Sequence, residues 1–194
     1  INDKLQNIEL PDWSGWNEQI KQWKSEYRLS YDSKKDLKPQ YIIEIVNKLT
    51  EGIPLVCVTG VGQHQQWTAR HFDFDFPTRI LLTSGGHGAM GFDLPVAIGA
   101  QLNEPNKLVL CFVGDGSLQI NIQELATIAN HNLPIKIIVL DNQRFGIVSQ
   151  FQNITWGKDP SCGNLENPDF TAIAKAYGIF AERIATADEA KSKL

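Results

Sequence analysis

The sequence predicts an α/β protein with an open, doubly wound, mostly parallel sheet carrying helices on both faces. Three observations lead there. From Leu37 onward, short β-rich runs alternate with helical patterns. The runs are nearly continuous in apolar character, as expected for strands covered on both faces. Glycine-bearing loops follow several of them, where ligands bind in such sheets. The 194 residues are 42% hydrophobic and 21% charged, enough for a sizeable core, and hold no repeat or low-complexity tract. Eighteen Lys and Arg against 22 Asp and Glu give a formal charge of -4, which argues against nucleic acid or anionic lipid as a partner. No apolar run reaches the length of a membrane span, and the opening INDKLQNIEL is too polar for a secretory signal. Cys57, Cys111 and Cys162 are odd in number, far apart and lack CxxC spacing, a pattern that reads as buried thiols in a reducing cytoplasm.

The elements follow in order. Trp13, Trp16, Ile20, Trp23 and Tyr27 recur at helical spacing in a polar stretch, which predicts one amphipathic helix docked on another part of the protein. The run YDSKKD separates it from the main body at residue 37. Pro39 opens a helix with Ile42, Ile45, Val46 and Leu49 on one face, and Gly52 and Pro54 end it. Strands are predicted at 55–59, 79–83, 107–113, 135–141 and, as the weakest run, 178–184. Between the third and fourth, one helix presents Leu118, Ile122, Leu125 and Ala129. ATADEAKSKL reads as a last helix whose following strand is missing.

The chemistry is sought beyond the strand ends. Gly114-Asp115-Gly116-Ser117 leaves the third strand, and the fourth delivers Asp141-Asn142. A right-handed crossover between neighbouring strands brings Asp115 and Asn142, 27 positions apart, to one rim of the sheet. A carboxylate, an amide oxygen and a helix start that favours anions suit a Mg²⁺–diphosphate. Alone, Gly-Asp-Gly marks a turn as readily as a site. After the first strand, Gly60-Val61-Gly62 opens like a dinucleotide fingerprint, but Gln65 stands where the third glycine belongs and no acidic residue ends the strand at 78–84. Gln63 and His64 at that turn suit phosphate oxygens, or His64 serves as a structural cap. After the second strand, Ser84-Gly85-Gly86-His87-Gly88-Ala89-Met90-Gly91 lets backbone approach a ligand, with Met90 either pressing on it or entering the core.

Taken together, TGVGQHQ, TSGGHGAMGFDLPVAIGA and GDGSLQINIQELATI followed by LDNQ resemble the C-terminal, diphosphate-binding domain of thiamine-diphosphate-dependent enzymes, most closely acetolactate synthase. The resemblance covers nearly all of residues 37–194. It implies Mg²⁺ held by Asp115, Asn142 and the backbone carbonyl of Arg144, and the diphosphate held by Gln63, His64, Gly116 and Ser117. It implies Met90 beneath a bent cofactor and the Gly88 carbonyl accepting from the cofactor's amino group, so that these two position the reacting ring. The implied reaction is decarboxylation of a 2-oxoacid such as pyruvate and transfer of its two-carbon unit to a second 2-oxoacid. The family's essential glutamate comes from a separate N-terminal domain on the partner subunit, and an FAD-binding central domain is also absent from these residues. The expectation is therefore a cofactor-binding fragment, inactive alone, of a longer chain that forms a homodimer or homotetramer, with residues 1–36 as the linker leaving the preceding domain.

Several positions depart from the usual pattern of that resemblance: Gln66, His87, Asp93, Asp141 and, above all, Phe151, where Trp is typical and helps choose the second substrate. Phe151 is thus the specificity candidate, and an acceptor other than the usual one is the alternative. A non-catalytic binding module of the same fold is a further alternative, disfavoured because such a module has no need of paired Mg²⁺ ligands.

Overall fold

The computed structural model describes residues 11–27, 29–32, 36–157 and 163–194. INDKLQNIEL and Cys162 lie outside them. The chain divides into two compact units, Ile1–Asp32 and Ser33–Leu194.

In the first unit, helix α1 spans Ser14–Glu26 and holds the predicted aromatic stripe. Asp12 receives Ser14 N–H at 2.8 Å, tying the entry of the helix. Trp16 and Trp23, two turns apart, meet edge to face with ring centroids at 5.5 Å.

The second unit runs α2 (Pro39–Leu49), β1 (Leu55–Thr59), α3 (Gln63–His71), β2 (Arg79–Thr83), α4 (Asp93–Asn103), β3 (Leu108–Gly114), α5 (Asp115–Ile120), α6 (Glu124–Asn130), β4 (Lys136–Leu140), α7 (Gly146–Trp156), α8 (Phe170–Ala176) and α9 (Ala187–Lys193). The four strands lie in the order β2-β1-β3-β4, all parallel. Every residue of β1 is buried, because helices cover both faces. On one face Val56, Val58, Val109, Cys111 and Val113 pack against α4, α5 and α6. On the other, Leu55, Cys57, Leu110 and Phe112 pack against Ile42, Ile43 and Val46 of α2. Burying each such aliphatic side chain contributes about 1.5–3 kcal/mol. Cys57 and Cys111 are free thiols inside this core, and burial pushes both well above the ordinary thiol range.

Three expectations need correction. Leu49 is 56% exposed, and Ile43 takes the core position predicted for it. The single helix expected over Leu118 to Ala129 is two, α5 and α6, broken by a turn at residues 121–123. Asn121 donates its side-chain amide to the Gly91 carbonyl at 2.7 Å, and that anchor outside the helix axis favours the break. Leu118, Leu125 and Ile128 still reach the core, with Ile128 buried where Ala129 was expected. Finally, 178–184 forms no strand. It leaves α8 through Gly178, at φ +77°, and Ile179 packs on one core cluster while Ile184 packs on the other. These two anchors, not ladder bonds, hold the segment, and Phe180 between them is exposed.

Candidate functional site

The site stands where β1, β2, β3 and β4 end, because parallel strands point all four carboxyl ends the same way. In register, Thr59 pairs with Thr83 and with Phe112, and Gly114 pairs with Leu140. The residues immediately after these positions therefore share one rim.

After β1, Gly60 N–H donates to the Asp93 carboxylate. Helix α3 then begins at Gln63, whose amide donates to Gln150 at 3.0 Å. Gln65 donates to Thr83 Oγ1 at 2.8 Å, so the position that a dinucleotide fingerprint reserves for glycine ties α3 to the end of β2. His64 is buried against the end of β3, where a Cβ on Gly114 would come within 2.9 Å of its Nδ1. Glycine at 114 is what makes room for the imidazole.

After β2, the glycine loop is closed by Ala89 N–H donating to Ser84 Oγ at 2.8 Å. Gly91 adopts φ +75° and lies so close to Ile120 that a Cβ would overlap it. Its N–H donates to Ser117 Oγ at 2.8 Å. Met90, next to it, is exposed toward the cleft.

After β3, Asp115 is only 3% exposed. Its carboxylate accepts Gly116 N–H at 2.9 Å and the Asn167 side-chain amide at 2.7 Å. Burial raises its pKa most, the Asn167 and Gly116 bonds oppose that, and the neighbouring Asp141 charge adds to it. The same Asn167 nitrogen donates to Asp141 at 2.7 Å. After β4, Asp141 accepts from Gln143 N–H and Asn142 from Arg144 N–H, both at 3.2 Å, the paired Asx turns that aim this tip.

One cleft is lined by Gln63, His64, Met90, Asp115, Gly116, Ser117, Asn142 and Arg144, so the structure gathers most of the residues predicted from sequence. An adjoining depression of about 480 Å³ shares Gln63, Asn142 and Arg144 and adds Ser149, Gln150 and Asn153. Gly88, at φ +64°, lies in the glycine loop against Val61, outside the cleft lining. Phe151 is 62% exposed on α7 and lines neither the cleft nor the depression.

Ser117 is already committed. Its hydroxyl donates to Asp93 while its oxygen accepts from Gly91, so the part left to a ligand is its main-chain N–H.

Among the described residues, no Lys or Arg forms an ion pair with Asp115. A buried carboxylate without a cation is costly, and the donor set around it, carboxylate and amide oxygen, is of the hard kind that Mg²⁺ takes. The described residues contain no cluster of three His, Cys, Asp or Glu suited to a metal. Mg²⁺ bound with a diphosphate needs no such cluster, since phosphate and water complete its octahedron. The residues present therefore fit a metal–diphosphate group.

Two contributors had little or no sequence signal. Asn167 lies in a segment without a motif, yet it joins the ends of β3 and β4 through Asp115 and Asp141. Asp93 stood out only as a departure, although a carboxylate at the head of the apolar stretch DLPVAIGA is itself a sign of a buried polar task.

The model of the thiamine pyrophosphate enzyme C-terminal TPP-binding domain matches residues 60–194. The chain belongs to that family. The chain is 42% identical over 185 residues to the acetolactate synthase large subunit of Haemophilus influenzae, covering 94% of this chain and 32% of the relative. It is 40% identical over 192 residues to acetolactate synthase 1, chloroplastic, of Zea mays, covering 94% and 30%. It is 40% identical over 188 residues to the acetolactate synthase isozyme 3 large subunit of Escherichia coli, covering 96% and 32%. The chain thus spans about a third of the length of these relatives. Thiamine diphosphate is the cofactor of this domain family. Among the described residues, no helix is long and apolar enough to cross a membrane.

Proposed function

We propose that this chain is the cofactor-binding part of a thiamine-diphosphate-dependent 2-oxoacid decarboxylase and carboligase of the acetolactate synthase kind, working in the cytoplasm. The observation that carries the site assignment is Asp115, buried at the end of β3 without a basic partner among the described residues and lining the same cleft as Asn142. Mg²⁺ would be held by Asp115, Asn142 and the Arg144 carbonyl. Gln63, His64, Gly116 and the Ser117 main chain would receive the diphosphate. Met90 would shape the cofactor, and the Gly88 carbonyl would orient its amino group. When bound, thiamine diphosphate supplies the electron sink on which a 2-oxoacid such as pyruvate loses CO₂.

The residues of this chain bind and orient. Asp115 brings negative charge to the metal, Asn167 holds that carboxylate in place, and α3 and α5 turn their first main-chain groups toward the cleft. The essential glutamate, and FAD where it is used, would come from parts of the protein outside these 194 residues. Val148, Phe151 and Ile154, three residues apart, leave an exposed apolar flank on α7, which supports a homodimer or homotetramer whose active site is shared between subunits. Phe151 on that flank would then meet the acceptor 2-oxoacid only in the assembled enzyme. The pairing of a second 2-oxoacid as acceptor rests on the acetolactate synthase relatives.

Calorimetric titration with thiamine diphosphate, with and without Mg²⁺, tests the reading. Mg²⁺-dependent binding is expected. Binding that ignores Mg²⁺ would overturn the metal assignment.

A further inference from the structure

Gln63, Asn142, Arg144 and Gly146 line both the cleft and the adjoining depression, so these residues stand where the two meet. The Gln63 side chain is held there from two sides. Its Nε2 donates to Gln150 Oε1, on the second turn of α7, at 3.0 Å. Its Oε1 lies against Gly146, the first residue of α7, so closely that a Cβ on that residue would overlap it. The same Cβ would come within 3.1 Å of Asn142 Nδ2, so the two amides converge on the point that glycine leaves open. A carboxamide nitrogen carries two hydrogens and its oxygen none. With Oε1 against α7 and one hydrogen on Gln150, the donor that Gln63 has left to give is its second N–H. A diphosphate offers acceptors only, so a donor is what it takes from this residue.

We infer that Gln150 is a positioning residue for the diphosphate site: by accepting from Nε2 it holds the Gln63 amide in the orientation that leaves an N–H for the ligand. The oxygen and nitrogen of a free glutamine amide exchange places by a half-turn about its last bond, and the half-turned group would meet the anion with a lone pair. An acceptor 3.0 Å from Nε2 opposes that turn. The amide is thereby ordered before any ligand arrives, which removes a cost otherwise met at the moment of binding. The same bond ties the start of α3 to α7, whose first residues Gly146, Ile147 and Val148 line the cleft. Gln150 itself lines the depression and not the cleft, so it acts through Gln63 and has no contact with the diphosphate of its own. The inference rests on the reading of Gln63 as a diphosphate ligand.

The test is a double-mutant cycle on this chain, read by calorimetry with Mg²⁺ and inorganic pyrophosphate, which probe the site without the thiamine rings. Gln150 is exposed, and Gln150→Met keeps its length while removing the acceptor. That variant is expected to bind pyrophosphate about three- to tenfold more weakly, the worth of one neutral hydrogen bond. In the Gln63→Ala background the same substitution is expected to change nothing, since no amide is left to hold. A second readout needs no ligand: the Gln63 side-chain amide in ¹H–¹⁵N spectra, assigned by its loss in Gln63→Ala. Its signals are expected to stand apart from those of solvent-exposed amides in wild type and to join them in Gln150→Met. They are expected to stand apart again in Gln150→Glu, which can only accept. Equal losses with and without Gln63, pyrophosphate affinity unchanged in Gln150→Met, or a Gln63 amide released in Gln150→Glu overturns this inference alone. Absence of Mg²⁺–pyrophosphate binding by wild type overturns the reading of the cleft, and this inference with it.

Discussion

The two ends of the sheet each bury a charge among neutral partners, but only one of them leaves it facing a cleft. At the amino end, Arg79 opens β2 and is 8% exposed, and each of its three nitrogens finds an acceptor in the chain. Its guanidinium donates to the carbonyls of Asp73 and Thr50 and to Asn47 Oδ1, and it stacks over the Phe72 ring at 4.8 Å. At the carboxyl end, Asp115 is as deeply buried and meets only neutral donors. The contrast separates a charge used for folding from one kept for a ligand. Neither charge has an ion-pair partner among the described residues; Arg79 is closed over by its own fold, while Asp115 lines a cleft that a cation can enter.

Exchanging the two charges for neutral groups should therefore break different properties. The largest effect expected is on binding. Asp115→Ala should abolish Mg²⁺-dependent thiamine diphosphate binding in calorimetry, because it removes the charged protein ligand, while the unfolding midpoint without ligand stays close to wild type. A variant that binds normally would end the assignment of Asp115 as the metal carboxylate. Arg79→Met should do the reverse. With the Thr50 and Asp73 carbonyls left short of donors, it should lose about 3 kcal/mol of stability in denaturant unfolding. A folded Arg79→Met sample should bind the cofactor as wild type does. Impaired binding there would mean that the two ends are not independent.

Much of the carboxyl-end rim was legible in the sequence, the role of Arg79 was not, and the limits have physical causes. β1 and β3 were clear because strands buried on both faces read as continuous apolar runs. The rim residues were clear because Asp115 and Asn142 each follow such a run directly, so strand geometry alone brings them together. The segment at 178–184 misled because Ile179 and Ile184 supply β-like apolar character, while pairing depends on a neighbour that local sequence does not encode. The split between α5 and α6 was hidden because Leu118 and Leu125 keep helical spacing across the break. Asn167 was invisible for another reason. Its amide reaches Asp115 from 52 positions away, and nothing periodic marks a single polar contact across the fold.

Asn167 offers the next way to sharpen the comparison. It bridges the ends of β3 and β4, holding both carboxylates by two bonds of 2.7 Å. Asn167→Ala should lower Mg²⁺ affinity about ten- to a hundredfold, the cost of removing a partner that orients a metal ligand. Mn²⁺ used as a paramagnetic stand-in would read that loss without any substrate. An effect on stability with no change in metal affinity would make Asn167 a fold residue, akin to Asn47 at the other end.

The smallest effect belongs to Asp141, and it tests whether nearness to the metal is enough to matter. Asp141 is exposed, so its charge acts on Asp115 through water and is weakened by salt. It raises the Asp115 pKa less than burial does, and the Asn167 amide that joins the two carboxylates offsets part of the repulsion. Replacing it by the neutral isostere keeps the Asx turn to Gln143, since Asn can accept the same N–H. Asp141→Asn should therefore change Mg²⁺ affinity by less than about fivefold, the range of an exposed charge pair. Raising the ionic strength should shrink even that difference. A loss as large as that of Asp115→Ala would instead make Asp141 a direct ligand, and the metal site would then be built from two carboxylates, with the end of β4 contributing charge as well as the amide of Asn142.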